Sequence, residues 1–242
     1  MIRFYHTSDV PDRRGFAPRI EALRAREPGR YFDCGDSLRG SQTVWHGREP
    51  VVEEIDRAGC DAQAIGNREF HYLFPLLRKR ASWMRHPLVC SNLLDTKGRE
   101  LPFRRSLVLE EGGTTIHVLG LLIMQYPVGH PLERVFGWRF LDPWDAVGAY
   151  AATVPDGDML LVLSHVGLSL DRKLARRVPR IDLILGGHSH DTLFEPERVE
   201  GVPIVHAGPY ARYCSRTELA YDAAAKRFAI ERFDLLPLLG AP

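Results

Sequence analysis

Five short apolar runs in this chain stop abruptly at residues able to ligate a metal. Residues 3–7 lead into Ser8-Asp9, 31–34 into Gly35-Asp36, and 62–65 into Gly66-Asn67. Residues 159–163 lead into Ser164-His165, and 181–185 into Gly186-Gly187-His188-Ser189-His190. Apolar runs of this length, ended by Gly or Ser, read as buried strands. In an open α/β sheet, ligands bind beyond the carboxyl ends of the strands. The pattern therefore predicts that Asp9, Asp36, Asn67, His165, His188 and His190 gather at one edge of one sheet. Carboxylate, amide and imidazole together suit a divalent Mn, Fe or Zn ion, and the chemistry to expect is metal-assisted hydrolysis.

Each residue also has an ordinary reading. Asp9 and Asn67 can cap helices, Asp36 can serve a turn, and His165 can be a hydrogen-bonded core histidine. The joint occurrence and order of the five motifs argue against coincidence.

The elements that must position these groups follow from periodicity. Strand and helix alternate through the first 90 residues, with helices at 16–26, 51–58 and 69–80 and a strand at 87–90. Pro75 disturbs the third helix. This order implies a largely parallel sheet. A hairpin turns at Glu111-Gly112-Gly113. Residues 124–143 read as a loop, and Asp142 caps a helix over 142–153 with Pro143 at its first position. A strand, a helix at 168–177 and another strand follow, and the end reads as antiparallel strands at 202–206, 214–221 and 227–233. Two packed sheets with helices outside account for the mixture. No domain boundary is evident, so 1–242 is read as one domain.

Bulk composition narrows the function classes. A net charge of +1 provides no broad field for nucleic acid or an anionic membrane, so neither is the expected partner. Of 32 basic residues, only Lys79, Lys97, Lys173 and Lys226 are lysines. Arginine offers forked donors suited to phosphate. No apolar run approaches the roughly 18 residues of a membrane span. The start shows no signal-peptide pattern, so a cytoplasmic location is expected. Cys34, Cys60, Cys90 and Cys214 form no CxxC and read as buried thiols.

At this point the chain resembles a known family, the calcineurin-like metallophosphoesterases, and within it the catalytic domain of the 5′-nucleotidases. The family's first motif, His-Thr-Asn-Asp-x-His, aligns with His6-Thr7-Ser8-Asp9-Val10-Pro11. Its second, Gly-Asp with a following Gly-Ser or Gly-Thr, aligns with Gly35-Asp36 and Gly40-Ser41. Its third, Gly-Asn-His-Glu-Phe, aligns with Gly66-Asn67-Arg68-Glu69-Phe70. Its fourth and fifth match Ser164-His165-Val166-Gly167 and Gly186-Gly187-His188-Ser189-His190. A later Ala-Gly-x-Tyr-x-x-Tyr motif corresponds to residues 207–213. The resemblance spans about residues 1–222.

The resemblance implies a four-layer α/β/β/α sandwich and two divalent metals about 4 Å apart. Asp36 would bridge them. Asn67, His165 and His188 would complete one site, and Asp9 and His190 would serve the other. A small phosphorylated compound, nucleotide-like monoester or diester, would be hydrolysed by a metal-activated hydroxide. Two departures stand out. Pro11 replaces a histidine ligand, leaving the Asp9/His190 site one ligand short unless Asp12 or water fills it. Arg68 replaces a catalytic histidine. An always-charged guanidinium cannot be a general acid near neutrality but can clamp phosphate. A good leaving group would then be needed, or a proton from water or from His71, which is expected one helical turn from Arg68 and otherwise reads as a plain surface histidine. Arg39 is a candidate phosphate contact. The 5′-nucleotidases carry a further C-terminal domain for the base; the chain ends soon after the resembling region, so recognition would use another surface, an oligomer partner or the aromatic loop at 124–144. The alternatives are a non-catalytic scaffold or binding module with a degraded site, and a hydrolase with one metal held by Asp36, Asn67, His165 and His188.

Overall fold

The computed structural model describes residues 1–239. Its first half runs β1 (Ile2–Thr7), α1 (Ala17–Arg26), β2 (Arg30–Asp33), α2 (Pro50–Arg57), β3 (Ala62–Ala64), α3 (Phe74–Ala81) and β4 (Leu88–Val89). The middle adds β5 (Leu93–Asp95), β6 (Leu107–Glu111), β7 (Thr114–Leu122), α4 (Pro131–Phe136), β8 (Trp138–Phe140) and α5 (Pro143–Ala151). The remainder is β9 (Met159–His165), α6 (Leu168–Arg177), β10 (Leu183–Gly186), β11 (Glu197–Val199), β12 (Val202–His206), β13 (Tyr213–Asp222) and β14 (Arg227–Pro237).

The strands form two six-stranded sheets, ordered β14-β13-β1-β2-β3-β4 and β11-β12-β10-β9-β7-β6. In the first sheet β1 to β4 are parallel and β13 and β14 add antiparallel partners. In the second, β7, β9, β10 and β12 are parallel and β6 and β11 are antiparallel edges. Alternation along the strands explains the layering, because successive side chains point to opposite faces. Phe4 and Phe32 face the core between the sheets, with Leu161, Leu163 and Leu185. Their neighbours Tyr5 and Tyr31 face outward and pack under α1 and α2 with Ile20 and Ile55. Helices α5 and α6 cover the second sheet through Val147 and Leu174. The result is a four-layer α/β/β/α sandwich.

Several expectations change. The five ligand-bearing strands do not share one sheet: β1, β2 and β3 lie in the first, β9 and β10 in the second. Periodicity finds strands but does not say which sheet each joins. The third helix begins at Phe74, not Glu69, and Pro75 occupies its first turn, where a missing N–H costs nothing. Residues 124–143 are not all loop; they hold α4 and β8, and β8 pairs with β5. Asp142 precedes α5 without a side-chain capping bond. Strand β12 runs parallel to β10, not antiparallel. All four cysteines are buried free thiols. No helix among the described residues is long and apolar enough to cross a membrane.

Candidate metal centre

The carboxyl ends of β1, β2 and β3 meet those of β9 and β10. Asp9, Asp36, His188 and His190 all adopt positive φ, at 52°, 57°, 74° and 60°. Such backbone costs of order 1–3 kcal/mol per residue and clusters where function demands it. Close backbone approach is needed too. A Cβ on Gly66 would lie 2.3 Å from the Asp36 nitrogen and 2.4 Å from its Oδ1.

Asp36, His165 and His188 form the centre, with one ligand atom from each lying within 4.8 Å of the others. His165 is fully buried and its Nδ1 lies 2.6 Å from the Cys34 carbonyl, which only an N–H can approach. That bond turns Nε2 toward the site, 3.2 Å from Asp36 Oδ1 and 3.2 Å from Asn67 Oδ1. His188 Nδ1 lies 3.1 Å from Asn67 Oδ1 and 3.3 Å from His165 Nε2. Lone pairs from four side chains therefore converge on one region, an arrangement that calls for positive charge. Burial alone would lower the His165 imidazole, but Asp36, then Asp9 and Glu69, raise it to about 9. Burial and the neighbouring His165 lower His188.

Asp9 and His190 make the second cluster. Asp9 Oδ2 accepts the His188 N–H at 3.0 Å. Its Oδ1 lies 3.4 Å from His190 Nε2, yet is buried without a hydrogen-bond partner among the described residues. A buried, orphaned carboxylate oxygen needs a partner, and a divalent cation suits it. Burial would raise the Asp9 carboxyl; His190, His165 and the His188 N–H outweigh it and hold it below its usual value. The donor set of Asp36, Asn67, His165 and His188 thus fits a divalent ion, with Asp9 and His190 standing beside it.

The other expected residues divide. Arg68 reaches the centre: its backbone N–H donates to Asp36 Oδ1 at 2.8 Å and its Nε lies 3.4 Å from Asp36 Oδ2. Arg39 instead pairs with Asp12 on an exposed rim. Asp12 is thus paired with Arg39 on that rim. His71 is neither exposed nor a helical turn from Arg68. It is buried in the loop before α3, where its Nδ1 accepts the Leu73 N–H at 3.0 Å.

Sequence reasoning passed over Glu69. It is 1% exposed. Its Oε2 accepts the N–H groups of Asp36 at 2.8 Å and Gly66 at 2.9 Å. Its Oε1 accepts those of Ser37 at 2.9 Å and Leu38 at 3.0 Å. One carboxylate thereby fixes the loop that presents Asp36. Its signal was its place in Gly66-Asn67-Arg68-Glu69-Phe70, an acid beside a buried phenylalanine.

Comparison with known proteins agrees with this architecture. No family model matches the chain. It is 29% identical to an uncharacterized metallophosphoesterase of Bacillus subtilis, YunD, over 93% of this chain and 51% of that protein. It is 24% identical to a 5′-nucleotidase of Vibrio vulnificus, over 78% of this chain and 40% of that protein. The chain thus spans about half the length, or less, of these curated relatives. Among solved structures, a 5′-nucleotidase precursor from Thermus thermophilus superposes with a TM-score of 0.80 at 22% identity, covering 98% of this chain and 54% of that one. The resemblance to metallophosphoesterases and 5′-nucleotidases therefore holds in sequence, and the fold agrees with that of a 5′-nucleotidase.

Proposed function

We propose that this relative of the metallophosphoesterases and 5′-nucleotidases is a metal-dependent phosphoesterase acting on a small phosphorylated compound, monoester or diester. The observation that carries the reading is the convergence of Asp36, Asn67, His165 and His188 from two sheets onto one centre. We read residues 1–242 as a single unit, supported by the core the two sheets share.

In this reading Asp36, Asn67, His165 and His188 would hold one divalent ion, and Asp9 and His190 would hold a second, without the histidine that Pro11 replaces. Bound there, such ions supply a water of lowered pKa and neutralise phosphate charge. The chain's own residues do the rest. The His165 Nδ1–H bond to Cys34 fixes the ring so that Nε2 faces inward. Glu69 holds the Asp36 loop. Arg68 sits beside Asp36 with its guanidinium partly exposed, able to turn toward a phosphate oxygen and stabilise charge developing there.

Purified protein loaded with Mn, Fe or Zn is expected to hydrolyse an aryl phosphate or a bis-aryl phosphate. Asp36→Asn and His188→Ala are each expected to lower turnover by roughly 100-fold or more. Lack of turnover by the metal-loaded protein on a broad panel of esters would sink the reading and leave a binding role. A one-metal hydrolase is the second reading, favoured by Pro11 and by the tighter geometry of the Asp36 cluster. Turnover with one tightly held ion per chain by elemental analysis would select it.

A further inference from the structure

Arg80 stands in the last turn of α3 with only 2% of its surface exposed. Its guanidinium is met by backbone carbonyls. Nη1 donates to Arg68 O at 2.9 Å and Phe70 O at 2.7 Å. Nη2 donates to Ser41 O at 3.0 Å and to Val44 O. Burying a cation without an ion-pair partner among the described residues is costly, and burial does lower this guanidinium. A structure that only needed volume here would use an apolar side chain. The arrangement shows what the cation secures instead. Its four acceptors come from two loops, 39–46 after β2 and 66–72 after β3, the loops bearing Arg39 and Arg68. A planar fork with two donors per side can span both loops; the point charge of a lysine cannot.

The effect on Arg68 is specific. Its N–H is held by Asp36 Oδ1 at 2.8 Å and its carbonyl by Arg80 Nη1 at 2.9 Å. The backbone of Arg68 is thus pinned on both sides, while its guanidinium stays free to exchange Asp36 for a ligand.

We infer that Arg80 is a positioning residue for phosphate binding: it ties two site loops together so that Arg68 points into the metal centre. The inference rests on the reading of Arg68 as a phosphate clamp, and the experiment separates the two. Inorganic phosphate is titrated calorimetrically into the Mn-loaded protein, using wild type, Arg68→Lys, Arg80→Lys and the double variant, with metal content measured on each. Arg68→Lys is expected to weaken phosphate binding roughly ten-fold. Arg80→Lys is expected to weaken it comparably with metal content unchanged, and the double variant to bind no worse than Arg68→Lys. Unchanged affinity in Arg68→Lys would remove the clamp reading itself. If Arg68→Lys weakens binding but Arg80→Lys, folded, does not, or if the two effects multiply, the positioning role is overturned.

Gly40→Ala tests the same tie from its loop end and covers the case where Arg80→Lys does not fold. Gly40 has φ +96°, and a Cβ there would lie 2.8 Å from the His46 ring and 3.4 Å from Arg80 Nη2. The same loss of phosphate affinity is expected, again absent when Arg68 is already lysine. A brace that is only structural would lower the melting temperature and leave phosphate affinity untouched.

Discussion

Arg68 sets the chemistry more by what it lacks than by what it offers. A guanidinium does not release a proton near neutrality, and His71 is turned into its own loop. In the phosphoesterase reading, the proton for a leaving alkoxide would then come from water. Wild-type turnover is therefore expected to fall steeply from aryl to alkyl phosphates as the leaving group becomes more basic. Arg68→His installs a titratable donor and is expected to raise alkyl phosphate turnover by roughly 100-fold, with little gain on aryl esters. A rate ratio unmoved by this change would remove the argument. At this scale the candidate ligands were legible because each terminates an apolar run, a local signal. Glu69 and Arg80 were not, because both serve backbone atoms of distant loops, and a buried acid or arginine reads in sequence like a solvated one. The pairing of Asp12 with Arg39 was not legible for a related reason: the two lie 27 positions apart.

Strands β1 and β2 carry two buried titratable groups that make element stability depend on pH in opposite senses. Burial, then the neighbouring His206, push the His6 imidazole from 6.5 down to about 3. Burial raises the Asp33 carboxyl from 3.8 to about 7, against hydrogen bonds from Ser37, Thr7 and Gly35. A depressed folded pKa stabilises above the unfolded value, so the His6 contribution is full above pH 6.5 and is lost toward about 3. A raised folded pKa stabilises below the unfolded value, so the Asp33 contribution is full below pH 3.8 and is lost toward about 7. Each amounts to something on the order of 4 kcal/mol, and the slopes oppose between the two unfolded values. Asp33→Asn is expected to steepen acid destabilisation by about 1.4 kcal/mol per pH unit in that window, and His6→Gln to reverse it. Chemical denaturation at a series of pH values reads the slopes; equal slopes in both variants would contradict the assignment. The strands themselves were legible, because their apolar runs are local. β5, β8 and β11, each three residues long, were missed. The start of α3 was misplaced because Glu69 spends its carboxylate on four loop N–H groups, a tertiary demand that overrides helix propensity.

For the whole molecule, the decisive fact is that the candidate ligands belong to two sheets. Asp36 and Asn67 follow strands of the first; His165 and His188 belong to strand ends of the second. The sandwich is legible in the alternation of strands and helices, but which sheet takes each strand is set by the inward packing of residues such as Phe4, Phe32, Leu163 and Leu185. An ion held by both ligand pairs binds the folded chain only while the sheets stay together, so it acts as a clamp between them. At 100 times its dissociation constant it would add about 2.7 kcal/mol. A domain of this size gains roughly 2–4 °C per kcal/mol, so saturating Mn or Zn is expected to raise the melting temperature by roughly 5–10 °C over protein stripped with chelator. Asn67→Ala removes a ligand from the first sheet and His188→Ala one from the second. If the ion bridges the sheets, each variant alone loses most of the metal-dependent rise. A full rise retained in either would mean that the ion is held by one sheet, and that the convergence of strand ends does not build a shared centre.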